Sequence, residues 1–130
     1  MIEEEKQVLV KALCGYLPYG VICSVVHEKY GRLVEEDMKL SGMFEDGNFY
    51  FLDEIGSTYS DNYIPYLRPM SSMTEEEQKK LHYFVESHKL GNCSRSGAIS
   101  DYLNSIHIDY RGLIEKGLAL EAPEGMYEIN

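Results

Sequence analysis

Between Val21 and Leu52 four short apolar or β-branched runs follow one another, separated by turn-forming and charged residues. No other feature constrains the fold as strongly. Val21 to His27 is the first run, with Val21, Ile22, Val25 and Val26 interrupted only by Cys23 and Ser24. Glu28 to Gly31 reads as a turn, and Arg32 to Glu36 and Met38 to Phe44 read as two further strands. Asp46-Gly47 is a hairpin signal, and Phe49-Tyr50-Phe51-Leu52 is the fourth strand. Turns this short join only antiparallel neighbours. The expectation is therefore a small antiparallel β-meander, a curled sheet or a partial barrel. A sheet of this size must bury one face under a helix.

Helical patterns lie on both sides. Leu9, Ala12, Leu13 and Tyr16 fall on one face of a 3.6-residue period. Glu3, Glu4 and Glu5 occupy the first turn, where the helix dipole favours negative charge. Gly15 and Pro18 mark the expected end. Further on, Thr74-Glu75-Glu76-Glu77 fits a capping box and opens a helix carrying Leu81, Phe84, Val85 and His88, which Gly91-Asn92 ends. Ser96 can cap a second helix with Ile99, Tyr102, Leu103 and Ile106 as its apolar stripe. Asp109 to Gly112 reads as a turn, Leu113 to Lys116 as one helical turn, and Leu118 to Ala122 as a short final strand before Pro123 and Gly125. The fold class is α+β: an N-terminal helix, the meander, two C-terminal helices and a last strand. The 130 residues amount to one domain. Residues 1–62 hold the helix and meander, and residues 63–130 an extended segment and the helical part.

Residues 53–73 are the least regular. Gly56, Ser57, Ser60, Asp61 and Asn62 favour a loop. Tyr63 to Met70 reads as extended, because Pro65 and Pro69 push their predecessors out of the helical region. Pro65 also argues against a central strand.

Two stretches carry a resemblance. One is Tyr66-Leu67-Arg68-Pro69-Met70-Ser71-Ser72-Met73-Thr74 running into Glu75-Glu76-Glu77. The other runs from Asp109-Tyr110-Arg111-Gly112 through Glu124-Gly125-Met126-Tyr127. Together, over residues 63–127, they resemble a group of small proteins without an assigned activity from gut Bacteroidales and their phages or mobile elements. The resemblance implies a bacterial cytoplasm and a mobile-element origin, and it transfers no catalytic residue.

Charge narrows the functions. The formal net charge is −10, and residues 45–77 alone carry eight acids against one base, Arg68. Nucleic-acid affinity comes largely from Lys and Arg displacing counterions, so direct DNA binding is disfavoured. The acidic stretch suits either solubility or a basic partner. Three cysteines, Cys14, Cys23 and Cys93, and an N-terminus without a secretory pattern point to a reducing, cytoplasmic setting. No apolar run approaches the roughly 20 residues of a membrane helix.

Chemistry-bearing residues form no recognised constellation. His82 and His88 are six apart and point to different helix faces, unlike an i, i+4 zinc pair. Cys93 near a helix start, beside Arg95, would need a base such as His107. His107-Ile108-Asp109 places a carboxylate near an imidazole, a common chance pairing. Phosphate loops and a Gly-x-Ser-x-Gly elbow are absent from the sequence. No catalytic residue, metal or cofactor is expected.

Aromatics remain, with 11 tyrosines and no tryptophan. Tyr and Arg dominate binding hot spots. Tyr63, Tyr66 and Arg68, with Tyr110 and Arg111 beside them, are the candidate binding residues. The plainer reading is that the tyrosines cover the core and Arg68 pairs with a nearby acid. The leading functional reading is a non-enzymatic acidic interaction or accessory protein with a protein partner. A nucleic-acid accessory protein, using Lys79, Lys80, Lys89, Arg95 and Lys116, is one alternative. An enzyme with an unrecognised site is the other.

Overall fold

The computed structural model describes residues 3–43, 48–52, 57–60, 62–89 and 98–127, with the side chains of 57–59, 87–89 and 98 outside that description. The expected N-terminal helix is α1, Glu3–Tyr16, and it buries Leu9, Ala12, Leu13 and Tyr16. A 3₁₀ turn, Leu17–Tyr19, follows, and Gly20 closes it at φ 72°. Gly15 does not end the helix. It lies in the last turn because Arg111 and Asn104 approach closely there, and a Cβ would stand 2.9 Å from the Arg111 guanidinium.

The strands are β1 (Ile22–Lys29), β2 (Arg32–Met43), β3 (Phe49–Leu52), β4 (Ser57–Tyr59), β5 (Tyr63–Leu67) and β6 (Leu120–Glu121). They form one open sheet in the order β4-β3-β2-β1-β5-β6. The first four are the meander. Its middle differs from expectation, since Arg32 to Met43 is one strand and not two. Asp37 stays in register opposite Ser24, and Glu35 opposite Val26. Alternation puts the exposed Glu35, Asp37 and Lys39 on the outer face and the buried Met38 and Leu40 on the inner one. The charged residues therefore occupy one face without breaking the strand. The first turn also shrinks from four residues to Tyr30-Gly31, both at positive φ. The Asp46-Gly47 signal lies outside the described residues.

Residues 53–73 hold two strands: β4 lies where a loop is expected, and β5 in the stretch that reads as extended. β5 lies against β1, with Cys23 opposite Pro65 and Val25 opposite Tyr63. The Val26 amide bonds the Asn62 carbonyl at 2.9 Å. Alternation along an antiparallel pair then makes Cys23–Pro65 a non-hydrogen-bonded rung. The missing proline N–H costs that ladder nothing, which is how Pro65 sits inside a sheet. On its other side β5 runs parallel to the two-residue β6, Tyr66 opposite Leu120 and Leu67 opposite Glu121. The Ser60 hydroxyl, buried, donates to the Val26 carbonyl at 2.6 Å and fixes the approach to β5.

The inner face carries the main core: Leu9, Leu13 and Tyr16 of α1, Val21, Cys23 and Val25, Met38 and Leu40, Phe49 and Phe51, and Leu113 and Leu118 from the C-terminal part. Burial pushes the Cys23 thiol far above its ordinary pKa. A second cluster joins Met73, Leu103, Ile106 and Ile108. α3 (Ala98–Ser105) supplies Leu103, and the half-buried Leu81 of α2 (Glu75–Lys89) packs against the cluster. The capping box opens α2 as expected: the Glu77 amide donates to Thr74 Oγ1 at 3.2 Å and the Thr74 amide to Glu77 Oε1 at 2.9 Å. The Gly91-Asn92 and Ser96 signals and Cys93 lie outside the described residues. Among the described residues no helix is long and apolar enough to cross a membrane.

Candidate functional site

A groove of about 780 Å³ opens between the start of α2 and the C-terminal segment that follows β6. Arg68, Pro69, Glu76, Glu77, Lys80, Tyr102 and Ile106 line one part of it, and Glu121, Ala122, Pro123, Glu124 and Tyr127 another. The backbone on both sides is tightly held. The Arg68 amide bonds the His107 carbonyl at 2.8 Å, and the Asp109 amide bonds the Arg68 carbonyl at 2.8 Å. The Ala122 amide bonds the Leu67 carbonyl at 2.8 Å.

Arg68 is anchored. Its two terminal nitrogens donate to Glu77 Oε1 and Oε2 at 2.7 and 2.8 Å, and to the carbonyls of Ser72 and Ile106 at 3.0 and 3.2 Å. A two-pronged guanidinium–carboxylate pair is the strongest form of this contact. The Arg68 guanidinium beside it holds the Glu77 carboxyl below the usual carboxylate range, against the upward pull of burial. The pair cancels its own charge. What remains on the groove is Glu76, Glu121 and Glu124 against Lys80, a net charge of −2. Lys80 itself lies over the Tyr102 ring, 5.1 Å from the centroid.

The candidate binding residues are dispersed. Tyr63 points to the inner face and packs its ring on Phe49 and Phe51, with centroids 5.7 and 5.5 Å away. Tyr66, three residues on, lies on the outer face, where a hydrogen bond to Asp37 raises its hydroxyl pKa. Alternation along β5 forces this separation. Arg111 is sandwiched between the rings of Tyr110 and Tyr16, at 4.3 and 5.0 Å, and donates to Asn104 Oδ1 at 3.1 Å. The Tyr110 hydroxyl donates to the same oxygen at 3.1 Å. Tyr110 and Arg111 thus share a partner, while only Arg68 of the five lines the groove.

His107 and Asp109 act separately. Asp109 Oδ1 and Oδ2 accept the amides of Leu113 and Ile114, both at 2.9 Å, and so cap the turn that follows. His107 sits at φ 61°, stacks on Tyr127 with centroids 3.9 Å apart, and directs Nε2 at the Tyr19 carbonyl at 2.8 Å. A carbonyl only accepts, so Nε2 carries the proton and the buried Nδ1 is left without a partner. Burial, ahead of the nearby Arg68 and Lys39 charges, lowers the His107 pKa.

Tyr127 completes the wall, a role that no local sequence pattern signals. Its hydroxyl accepts the Ile22 amide at 2.7 Å and donates to the Tyr66 carbonyl at 2.7 Å. The β1–β5 ladder ends one rung earlier, at Cys23–Pro65. The phenol oxygen therefore replaces the next direct bond between the two strands. Burial raises its pKa and keeps it protonated. Among the described residues no group of three or more His, Cys, Asp or Glu side chains converges as a metal-ligand set. No family model, curated protein or solved structure matches the chain.

Proposed function

We propose that this chain is a small acidic accessory protein that binds a basic segment of a protein partner in the groove between α2 and the C-terminal segment. It acts in a bacterial cytoplasm and derives from a phage or mobile element. One observation carries the binding mode: Arg68, the sole base of the acidic stretch, is spent on Glu77, so Glu76, Glu121 and Glu124 face the groove largely unopposed. Pro69, Ile106, Pro123 and the rings of Tyr102 and Tyr127 supply apolar surface between those carboxylates. A concave site of this kind suits an extended segment with cationic and aromatic side chains. Phosphate-rich ligands meet charge of their own sign there and are repelled.

The test is binding of a fluorescein-labelled peptide of eight residues with two arginines flanking a tyrosine, followed by anisotropy. Saturable binding that falls at least tenfold in Glu121→Lys, Glu124→Lys protein and weakens with added salt supports the reading. Both glutamates are exposed, so the variant keeps the fold. Equal affinity of the wild-type and charge-reversed proteins overturns it.

A further inference from the structure

Among the described lining residues, Lys80 is the cation left to the groove once Arg68 is paired with Glu77. Glu76 precedes it on α2 at the i, i+4 spacing, and in the order, that favours a helical ion pair. Among the described residues Lys80 nevertheless forms no ion pair. Its ammonium lies instead 5.1 Å from the centroid of the Tyr102 ring. That is within the ~6 Å at which the negative face of an aromatic ring attracts a cation. The acidic groove thus already holds a cation on its aromatic wall.

The fold, rather than Lys80, sets the position of that ring. Tyr102 lies on α3 and is half-buried. Phe84 of α2 packs on it with centroids 5.4 Å apart. Its hydroxyl donates a long hydrogen bond to the Glu77 carbonyl at 3.5 Å.

We propose that the Tyr102 ring is the groove's seat for an arginine side chain of the bound segment, and that Lys80 is its resident occupant, displaced when the partner binds. The inference rests on the groove as a site for basic segments and names where the cation sits. Lys80 is a loose occupant. It is exposed, and its ammonium is compact and strongly hydrated, so its hold on the ring is weak. A guanidinium is planar and less hydrated, and it stacks on a ring face. The chain itself shows the closer fit, since the Arg111 guanidinium lies 4.3 Å from the Tyr110 centroid. An incoming arginine takes the ring, and the released ammonium turns to water or to Glu76.

Anisotropy with the labelled arginine peptide, and with a counterpart carrying lysine at both arginine positions, tests this. Wild-type protein should bind the arginine peptide about fivefold more tightly than its lysine counterpart. Tyr102→Phe keeps the ring and should keep that preference, whereas Tyr102→Leu should erase it. Lys80→Gln vacates the seat and should strengthen arginine-peptide binding about threefold beyond Lys79→Gln. Lys79 is exposed and outside the groove lining, so its loss removes the same charge without touching the seat. Equal affinities for the two peptides in wild-type protein overturn the inference, and so does a preference that survives Tyr102→Leu. A gain in Lys80→Gln no larger than in Lys79→Gln also overturns it, and both of those changes fall on exposed side chains that the fold does not need. If the Glu121→Lys, Glu124→Lys protein still loses the peptide in these cases, the groove reading stands and only the seat is wrong. Binding of neither peptide overturns both.

Discussion

Glu77 holds Arg68 with both carboxylate oxygens, and the same Oε1 that takes the guanidinium at 2.7 Å also takes the Thr74 amide at 2.9 Å. One side chain therefore starts α2 and neutralises the only cation of the acidic stretch. Glu77→Gln keeps a residue able to close the capping box but removes the charge. Glu77→Ala removes both. The pair is mostly buried, at 14% and 11% side-chain exposure, but not dry. The alanine variant should lose about 2–3 kcal/mol in chemical denaturation, with glutamine about 1 kcal/mol milder. Equal losses in the two variants would show that the cap contributes nothing.

The same pair gives an acid limb. The folded pKa of Glu77 is depressed, first by its Arg68 hydrogen bond. Its stabilisation is present above the unfolded carboxylate value, about 4.3, and is lost as pH falls through the lower folded value. Wild-type minus Glu77→Gln stability should shrink across that window. A difference constant from pH 7 to 3 would contradict the assignment.

His107 acts at higher pH. Its folded pKa lies below the ordinary value because burial disfavours the cation. As pH falls below about 6.5 the unfolded chain takes up the proton first, so stability declines. His107→Gln keeps a donor for the Tyr19 carbonyl and lacks the titration. The wild-type protein should lose more stability than the variant between pH 7 and 5. Parallel curves would place the decline on other groups.

Tyr127→Phe keeps the ring on His107 and removes the oxygen bridging Ile22 and Tyr66. Leaving that amide and carbonyl unsatisfied should cost about 1–3 kcal/mol. Amide exchange at Ile22 should accelerate while exchange within the core of β2 changes little. Unaltered protection at Ile22 would mean that the strands close the rung themselves.

Much of the architecture was legible because it rests on local patterns. Leu9, Ala12, Leu13 and Tyr16 are buried as their spacing requires, and the Thr74–Glu77 box forms with its expected bonds. The errors fell where sequence neighbours do not decide. Pro65 enters the sheet because its rung needs no N–H, a matter of register that no residue of β5 encodes. Asp37 continues β2 because its face is open to solvent. The groove was less legible still, since Glu121, Glu124 and Tyr127 reach it only through the return of the C-terminal segment beside β5. Arg68 reads as a lone base in its stretch, and the plainer reading of it, a pairing with a nearby acid, is the one found.

The most direct measurement is a ¹⁵N–¹H correlation titration of the wild-type protein with the basic tyrosine-containing peptide. Shifts should concentrate at Thr74 to Lys80 and Glu121 to Gly125, with Asp37 and Glu35 on the outer sheet face unmoved. Shifts centred on that outer face, or spread over all acidic residues alike, would contradict a groove-directed site.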